Sequence, residues 1–301
     1  MRKLIVRTDD AGYTDVCNIG TFETYAKGYG TTCDIMLESP GTVDALKRLK
    51  ELPWISVGWH THFWNSPVLD PSEVKSMVIP GTNRFRHDLR TAMDVDEKEA
   101  LRECRTQIRR CMDILGRAPD VGVDLGMDTP FTAALTTVSK EYGMATNYTH
   151  RMHRDPKTGT VTFDPCDPKW EHAKIYQADQ KNRGMPGPTN TMDEIRDNYD
   201  AVWFVINDTM KLLELEDGSA LMHGFHPGYV DYYVARLGDY GPIAHKVTLI
   251  RAYDVEALCS QRLHDWILDN NIELCNLRDA LYGTQEYQNH LKHIGSDLCV
   301  L

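Results

Sequence analysis

Near its start the chain reads Arg2-Lys3-Leu4-Ile5-Val6-Arg7-Thr8-Asp9-Asp10-Ala11-Gly12. The apolar residues predict a strand over residues 3–8, and two adjacent carboxylates follow where that strand ends, before a glycine turn. Neighbouring side chains of a strand point to opposite faces, so both carboxylates can face one pocket only if the chain turns there. The pair indicates either a polar turn that caps the next helix or a site that holds a cation or a proton.

Predicted strands and helices alternate after this segment. Further strands are predicted at residues 31–37, 54–60, 120–124, 143–148, 219–223 and 271–275. Helices are predicted at residues 16–28, 41–50, 95–115, 130–142, 192–215, 253–269 and 277–288. This alternation predicts an α/β protein with parallel strands, closed most economically as a single distorted (β/α) barrel of the TIM type. An open doubly wound sheet is the alternative, although no G-x-G-x-x-G follows the first strand.

The domain organisation is predicted to be simple. We expect one domain over residues 1–301, with a variable insertion around residues 149–190, a stretch that is polar and rich in Pro, Gly and Asp. Such composition is typical of a segment that leaves the regular scaffold.

Composition narrows the class of protein. The chain has 301 residues, of which 42% are hydrophobic, and a formal net charge of −11. The acidic balance argues against a nucleic-acid or anionic-membrane partner, and no apolar run approaches the length of a transmembrane helix. None of the eight cysteines forms a C-x-x-C pair, and no apolar leader opens the chain, so we predict reduced thiols and a cytoplasmic location.

Aspartate and histidine residues follow four of the predicted strands. Active sites of such barrels lie at the carboxyl ends of the strands. The residues found there are Asp9, Asp10, His60, His62, Asp124, Asp128, His223 and His226. This is a ligand set for zinc or a similar divalent ion, with one or two groups left for proton transfer.

Each of these residues also has an ordinary structural interpretation. His60 and His62 alternate along an extended segment, so only one of such a pair usually faces a given pocket. His226 precedes Pro-Gly and can be a turn residue, and Asp124 can cap the next helix. Their shared position at strand ends is what favours a functional site.

Four motifs, taken in order, give a resemblance to a known family. They are D-D-x-G at residues 9–12, G-x-H at 58–60, Q-I with G-R-x-P between 107 and 119, and H-P-G-Y at 226–229, with Arg251 and Leu258 spaced after the last. With them the chain resembles the YdjC family (the ChbG/HpnK group) of carbohydrate, or chitooligosaccharide, deacetylases. The resemblance implies a distorted (β/α) barrel, often dimeric, that removes acetyl groups from N-acetylated sugars with a divalent metal.

The resemblance also implies roles for individual residues. Asp10 and His60 would be metal ligands, Asp9 would be the base that activates water, and His226 would protonate the leaving amine. The family usually has a histidine-rich run after G-x-x-P, but residues 119–130 read P-D-V-G-V-D-L-G-M-D-T-P and contain no histidine. Asp124 is predicted to replace the missing ligand, with Asp128 as the other option.

The predicted cofactor is a divalent metal, with Zn²⁺ first and Mg²⁺, Mn²⁺ or Co²⁺ as alternatives. The predicted substrate is a small carbohydrate, contacted by Trp59, His62, Asp128 and Tyr229, and the predicted assembly is a homodimer.

The sequence thus predicts a metal-dependent hydrolase that removes an acetyl group from an N-acetylated sugar. A sugar-binding or regulatory protein on the same scaffold, with altered catalysis, is the second hypothesis, because the expected histidine is missing. Hydrolysis of a phosphoester is a third hypothesis. The acidic charge and the lack of an evident Arg/Lys clamp weigh against it, although Arg84, Arg86 and Arg90 could hold an anion.

Overall fold

The structure of the protein is a computed structural model that describes residues 1–155, 157–177, 191–237 and 244–301. Eight strands in these ranges form one sheet, in the order β3-β2-β1-β7-β6-β4-β5, with β8 beside β1. The strands are β1 (Lys3–Ala11), β2 (Thr32–Ile35), β3 (Ser56–Trp59), β4 (His150–Arg154), β5 (Val161–Asp164), β6 (Ile175–Gln177), β7 (Ala220–Phe225) and β8 (Glu273–Leu274). Only β5 runs antiparallel to its partner in this described sheet, so the predicted α/β class with mostly parallel strands is confirmed.

Helices connect the strands of this sheet. They are α1 (Asp15–Ala26), α2 (Thr42–Lys50), α3 (Glu97–Leu115), α4 (Pro130–Glu141), α5 (Met192–Asn198), α6 (Trp203–Ile206), α7 (Tyr232–Leu237), α8 (Ala244–Leu258), α9 (Gln261–Asp269), α10 (Leu277–Tyr282) and α11 (Glu286–Ile294). No helix in the described ranges combines the length and the apolar character that a bilayer crossing needs.

Strand β1 is the centre of the sheet and is covered on both faces. Leu4 and Val6 belong to the largest hydrophobic cluster, and the intervening Ile5 belongs to a second one. This is the period of two expected of a strand with apolar neighbours on each side, as parallel strands usually have. Burial continues to Ala11, so the polar end of β1 lies inside the protein.

Helix α3 matches the sequence prediction for residues 95–115. The Asp96 carboxylate accepts hydrogen bonds from the backbone of Lys98 at 2.8 Å and Glu99 at 3.3 Å, which caps the first turn. Gly116 ends the helix with a φ of 88°, a left-handed conformation that glycine adopts without strain. The buried face of the helix includes an apolar stripe, Cys104, Ile108, Cys111 and Leu115. The cap and this stripe therefore determine the helix locally.

Beyond β3 the described residues continue the parallel pairing only by isolated bridges. Two isolated parallel bridges join Gly58 to Val121 and Val121 to Ala145, beyond the edge strand β3. They stand where strands were predicted at 120–124 and 143–148, and each is a single bridge rather than a strand. A closed barrel stays a prediction, as does the single domain over residues 1–301.

The predicted insertion around 149–190 includes part of the sheet. Its described residues form β4, β5 and β6, and β6 pairs in parallel with both β7 and β4. Residues 156 and 178–190 lie outside the described residues.

The single helix predicted at 192–215 is wrong. The chain there forms α5, α6 and a short 3₁₀ turn at Leu212–Glu214. Tyr199 adopts an extended conformation, whereas Asp208 and Lys211 have φ values of 46° and 61°. The Asp208 carboxylate accepts from the backbone of Leu212 at 2.7 Å, so this side chain makes a local cap that competes with a continuous helix.

Candidate active site

The chain turns at the end of β1, as the adjacent carboxylates require. Asp10 has a φ of 65°, and the pairing register of β1 with β2 shifts between Thr8 and Ala11. Such a bulge re-aims side chains, and a non-glycine residue with positive φ marks backbone strain that recurs at functional sites. Asp9 and Asp10 are each only 1% exposed. Both carboxylates are therefore held inside the protein.

Asp9 is held by an arginine of its own strand. Nε and Nη2 of Arg7 donate to Oδ1 and Oδ2 of Asp9 at 2.6 and 2.8 Å, a bidentate pair. Nε2 of His226 lies 3.8 Å from Oδ2 of the same carboxylate. Burial opposes ionisation, but the charges of Arg7, His60 and His226 hold the pKa of Asp9 well below its usual value. Asp9 is thus an oriented carboxylate anion.

Asp10 faces three cationic or protonatable groups. Nη2 of the fully buried Arg251 donates to its Oδ2 at 2.6 Å. Nε2 of His60 lies 2.9 Å from its Oδ1, and Nε2 of His62 lies 3.5 Å from the same oxygen. Burial again opposes ionisation, but Arg251 and the two histidines lower the pKa of Asp10 well below its usual value. One oxygen of Asp10 is held by the arginine, and the other faces the imidazoles.

His60 lies between two carboxylates. Its Nδ1 is 3.7 Å from Oδ2 of Asp34, on β2, opposite the contact with Asp10. Burial lowers the pKa of His60, but Asp10, Asp34 and Asp9 outweigh it and raise the pKa to about 10. Gly58 makes room for Asp34, because a Cβ at this position would lie 2.0 Å from Oδ1 of that carboxylate.

The pKa of His62 is lowered, whereas that of His60 is raised. Its ring stacks on Trp64 with centroids 3.7 Å apart and meets the His60 ring edge-on at 4.2 Å. Burial and the positive charge of His60 lower the pKa of His62 to about 3. The lowered pKa thus depends on a protonated His60 beside it. Nε2 of His62 faces the same oxygen of Asp10 as Nε2 of His60 does.

The donor atoms fit a divalent cation. A carboxylate oxygen of Asp10 and a ring nitrogen each of His60 and His62 lie within 4.8 Å of one another, and a second such group joins His60 to Asp9 and Asp34. Nε2 of His60 and Oδ1 of Asp10 lie 2.9 Å apart, and Nε2 of His62 lies 3.5 Å from the same oxygen. Two imidazole nitrogens that converge on one carboxylate oxygen are placed as ligands of a shared metal ion would be. Mixed imidazole and carboxylate donors are typical of zinc and related ions.

A cavity of about 830 Å³ opens beside this cluster. His60, His62, Arg90, Asn147 and Tyr148 are among its lining residues. This volume falls within the range of small-molecule sites, and the lining supplies several hydrogen-bonding groups.

His226 directly follows β7, the strand that pairs with β1 on the side away from β2. Its backbone N–H donates to Oδ2 of Asp254 at 2.8 Å, and the following carbonyl of Pro227 accepts from the Thr21 hydroxyl at 2.8 Å. Gly20 on α1 and Gly228 approach closely, since a Cβ on Gly20 would lie 2.7 Å from the Gly228 Cα. Helices α1 and α8 thus fix the backbone that carries His226.

The structure brings together Asp9, Asp10, His60, His62 and His226. The other predicted site residues are not part of this cluster, although Trp59 and Asp124 line the cavity beside it. The Asp124 carboxylate lines the same cavity, but it pairs with Lys140 at 2.8 Å and belongs to none of the metal-donor groups found in the described residues. Asp128 is exposed on the turn that follows.

Two predicted sugar contacts have other partners in the structure. The Trp59 side chain is buried in the core, and its indole N–H donates to Oε1 of Gln107 at 3.2 Å. The Tyr229 hydroxyl donates to Glu23 on α1. A role of Trp59, Asp128 or Tyr229 in sugar binding stays a prediction.

Sequence reasoning missed three charged residues of the site. Asp34 lies in the middle of the predicted strand 31–37, so the strand-end rule that found Asp9 and His60 does not apply to it, whereas the observed strand β2 already ends at Ile35. Arg7 lies two residues before Asp9, and the same-face periodicity of a strand could have paired them. Arg251 lies on α8, far away in sequence, and only its spacing after H-P-G-Y marked it.

The sequence and the fold are similar to those of known proteins. The model of the YdjC-like protein family matches residues 3–269. Carbohydrate deacetylase 2 of Listeria innocua is 22% identical over 279 residues, which cover 92% of this chain and 98% of the relative. Carbohydrate deacetylase of Mus musculus is 23% identical over 312 residues, which cover 92% of this chain and 94% of the relative. A similar fold occurs in a solved structure of a proposed cellobiose-phosphate cleavage protein of Enterococcus faecalis, with a TM-score of 0.60 and 19% sequence identity. The match covers 91% of this chain and 97% of that protein.

Proposed function

The chain belongs to the YdjC-like protein family, and from this premise we propose that it is a metal-dependent carbohydrate N-deacetylase. The reaction is hydrolysis of the acetamido group of an N-acetylated sugar to acetate and a free amine. The observation that carries the proposal is the convergence of Asp9, Asp10, His60 and His226 beside a cavity. The names of the curated relatives support the same activity.

Asp10 and His60 would hold the metal, as the sequence predicts. We propose His62 as the third ligand, because its Nε2 faces the same oxygen of Asp10 as Nε2 of His60 does. Asp124 stays the alternative, although its carboxylate is paired with Lys140. A divalent ion bound here would polarise the acetyl carbonyl and lower the pKa of a water molecule.

The chain's own residues account for the proton transfers. Asp9 is ionised and oriented by Arg7, so it can accept a proton from the water that attacks the acetyl carbon. As the C–N bond breaks, a protonated His226 would donate a proton to the departing nitrogen. The 3.8 Å separation of Asp9 and His226 lets both groups serve one reacting amide.

The cavity would hold the sugar. Asn147 and Tyr148 line it on one side, and Arg90, whose Nη2 donates to the carbonyl of Thr61 at 2.6 Å, lines it near His62. Neutral hydrogen-bonding groups and a fixed guanidinium suit a polyhydroxylated substrate.

The proposal is tested by acetate release from N-acetylated mono- and disaccharides with Zn²⁺, Mn²⁺, Co²⁺ or Mg²⁺ added to the metal-stripped chain. We expect release with at least one metal, and a loss of roughly 10²–10⁴-fold in kcat for either Asp9→Asn or His226→Gln. Glu97→Gln, an exposed change at the start of α3, is the control. A chain that binds the sugars unchanged and releases no acetate with any metal would instead favour the altered sugar-binding protein.

A further inference from the structure

A second cluster of metal-binding side chains lies away from Asp10. Sγ of Cys166 is 3.5 Å from Nε2 of His150 and 3.4 Å from Oε2 of Glu171. Nε2 of His150 is 3.5 Å from the same oxygen of Glu171. Three donors of different chemical type thus form a nearly equilateral triangle.

The three residues come from separate segments. His150 begins β4, Cys166 follows β5, and Glu171 lies on a short 3₁₀ helix, Pro168–Ala173. His150 and Cys166 are buried and Glu171 is exposed. The His150 ring is further fixed by stacking on Tyr176 with centroids 5.0 Å apart. The three positions form no compact motif, so no sequence pattern indicates this cluster.

We propose that His150, Cys166 and Glu171 form a second metal site, selective for Zn²⁺. Zinc bonds of about 2.3 Å to sulfur and about 2.0–2.2 Å to nitrogen or oxygen, at tetrahedral angles, place the ligand atoms roughly 3.3–3.6 Å apart. The three observed separations all fall in that interval. A thiolate among the ligands favours zinc over magnesium, calcium or manganese.

A catalytic triad with Cys166 as the nucleophile fits the geometry less well. In a nucleophilic triad the histidine stands between the thiol and the carboxylate and uses both ring nitrogens. Here Cys166 and Glu171 both approach Nε2 of His150. Burial, together with Glu171, raises the pKa of the Cys166 thiol to about 11, which disfavours a free nucleophilic thiolate. Without metal the thiol donates to Glu171, and zinc would replace that proton.

Zinc bound at this position would lie in the wall of the proposed substrate cavity and hold its segments together. Cys166 lines that cavity, together with its neighbours Pro165 and Asp167. A bound ion would connect the start of β4 to the 3₁₀ helix, which the described structure otherwise joins by hydrogen bonds and packing. The site is therefore expected to stabilise the cavity wall rather than to take part in the reaction.

Cobalt substitution tests the site independently of activity. The metal-stripped full chain is titrated with Co²⁺, and thiolate-to-cobalt charge transfer is followed in the near ultraviolet. We expect this band in the native chain and in Asp10→Asn, which keeps all three proposed ligands. We expect its loss in Cys166→Ser and His150→Gln, and weaker binding in Glu171→Gln. Cys299→Ser, a half-buried cysteine elsewhere, is the matched control and should keep the band.

Thermal unfolding of the metal-stripped variants shows whether they fold. Zinc should raise the Tm of Asp10→Asn but not that of the double variant Asp10→Asn/Cys166→Ser, which lacks a ligand of each proposed site. The proposal is overturned if the native chain gives no thiolate band, or if the band survives in Cys166→Ser. Loss of the band in Asp10→Asn would place the thiolate signal elsewhere and would also overturn it.

Discussion

Asp10 has the most constrained position of any residue in the proposed site. Its backbone is left-handed, its Oδ2 accepts from Arg251, and its Oδ1 faces His60 and His62. These contacts aim a single oxygen at the two imidazoles. The neighbouring Asp9 is oriented by Arg7 instead. Two adjacent carboxylates thus have separate partners, which is how like charges can share one strand end.

The third metal ligand at the Asp10 site is expected to be His62 rather than Asp124. Equilibrium dialysis with Zn²⁺ is expected to show clearly weaker binding at the Asp10 site for His62→Gln than for Asp124→Asn, because Asp124 is paired with Lys140. Both variants are made on a Cys166→Ser background, which removes the proposed thiolate site. Weaker binding in Asp124→Asn and unchanged binding in His62→Gln would restore the role predicted for Asp124.

Single residues also show what the sequence could and could not reveal. Asp9, Asp10, His60 and His226 were identifiable because each follows a predicted strand, and strand ends meet in space. The contact between Arg251 and Asp10 was not, because 241 positions separate them and no periodic pattern relates a helix residue to a distant strand end. The stacking of His62 on Trp64 depends on the positive φ of Phe63 between them, which no composition rule indicates.

At the scale of elements, the contact between α1 and the H-P-G-Y segment determines where His226 lies. Gly20→Ala would gain helix propensity, but its Cβ would lie 2.7 Å from the Gly228 backbone. We expect overpacking to cost about 1–3 kcal/mol in unfolding free energy. The displaced segment should also lower kcat, because it carries His226.

Urea unfolding and acetate release measure the two effects. Gly228→Ala is the matched control from the other side of this contact. Its Cβ would lie 3.3 Å from the Cys17 Cα, so a smaller loss is expected. Equal stability and activity for Gly20→Ala and the native chain would show that the helix shifts freely against this segment.

Elements with local signals were predictable, and those stabilised by distant contacts were not. Helix α3 carries its own cap, stripe and terminal glycine, and both ends were found within two residues. Residues 192–215 carry a helical pattern too, but the cap formed by Asp208 interrupts it. Strand β6 lies in a stretch rich in turn residues, and its pairing with β7 comes from the sheet rather than from its own sequence.

At the scale of the whole molecule, the contribution of Glu38 to stability is expected to fall as the pH rises above about 5. Burial, with Glu103 nearby, raises the pKa of Glu38 from an ordinary value of 4.5 to about 7. The folded state therefore binds this proton more tightly than the unfolded state. The resulting stability is fully present below the ordinary value and is lost as the pH rises through 7, by an amount on the order of 3 kcal/mol.

Urea unfolding at pH 5 and pH 8 measures this loss. Glu38→Gln cannot ionise, so it should be more stable than the native chain at pH 8 and close to it at pH 5. Glu97→Gln, on the exposed start of α3, is the control and should follow the native chain. An equal difference between Glu38→Gln and the native chain at both pH values would contradict the assignment.

The assembly and location of the protein remain predictions at this scale. We expect a homodimer in the cytoplasm, and light scattering of the purified chain measures the first directly. Neither prediction affects the proposed chemistry, since all residues of the proposed site lie on one chain.

The central claim is that the end of β1 holds a catalytic metal between Asp10 and His60. Anomalous diffraction from crystals soaked with Zn²⁺ tests it most directly, because the peak locates the ion without reference to activity. The account predicts a peak within bonding distance of Oδ1 of Asp10 and Nε2 of His60, with His62 as the third protein ligand. Saturating zinc that leaves no peak at Asp10, or a peak bound by Asp124 without Asp10, would contradict it.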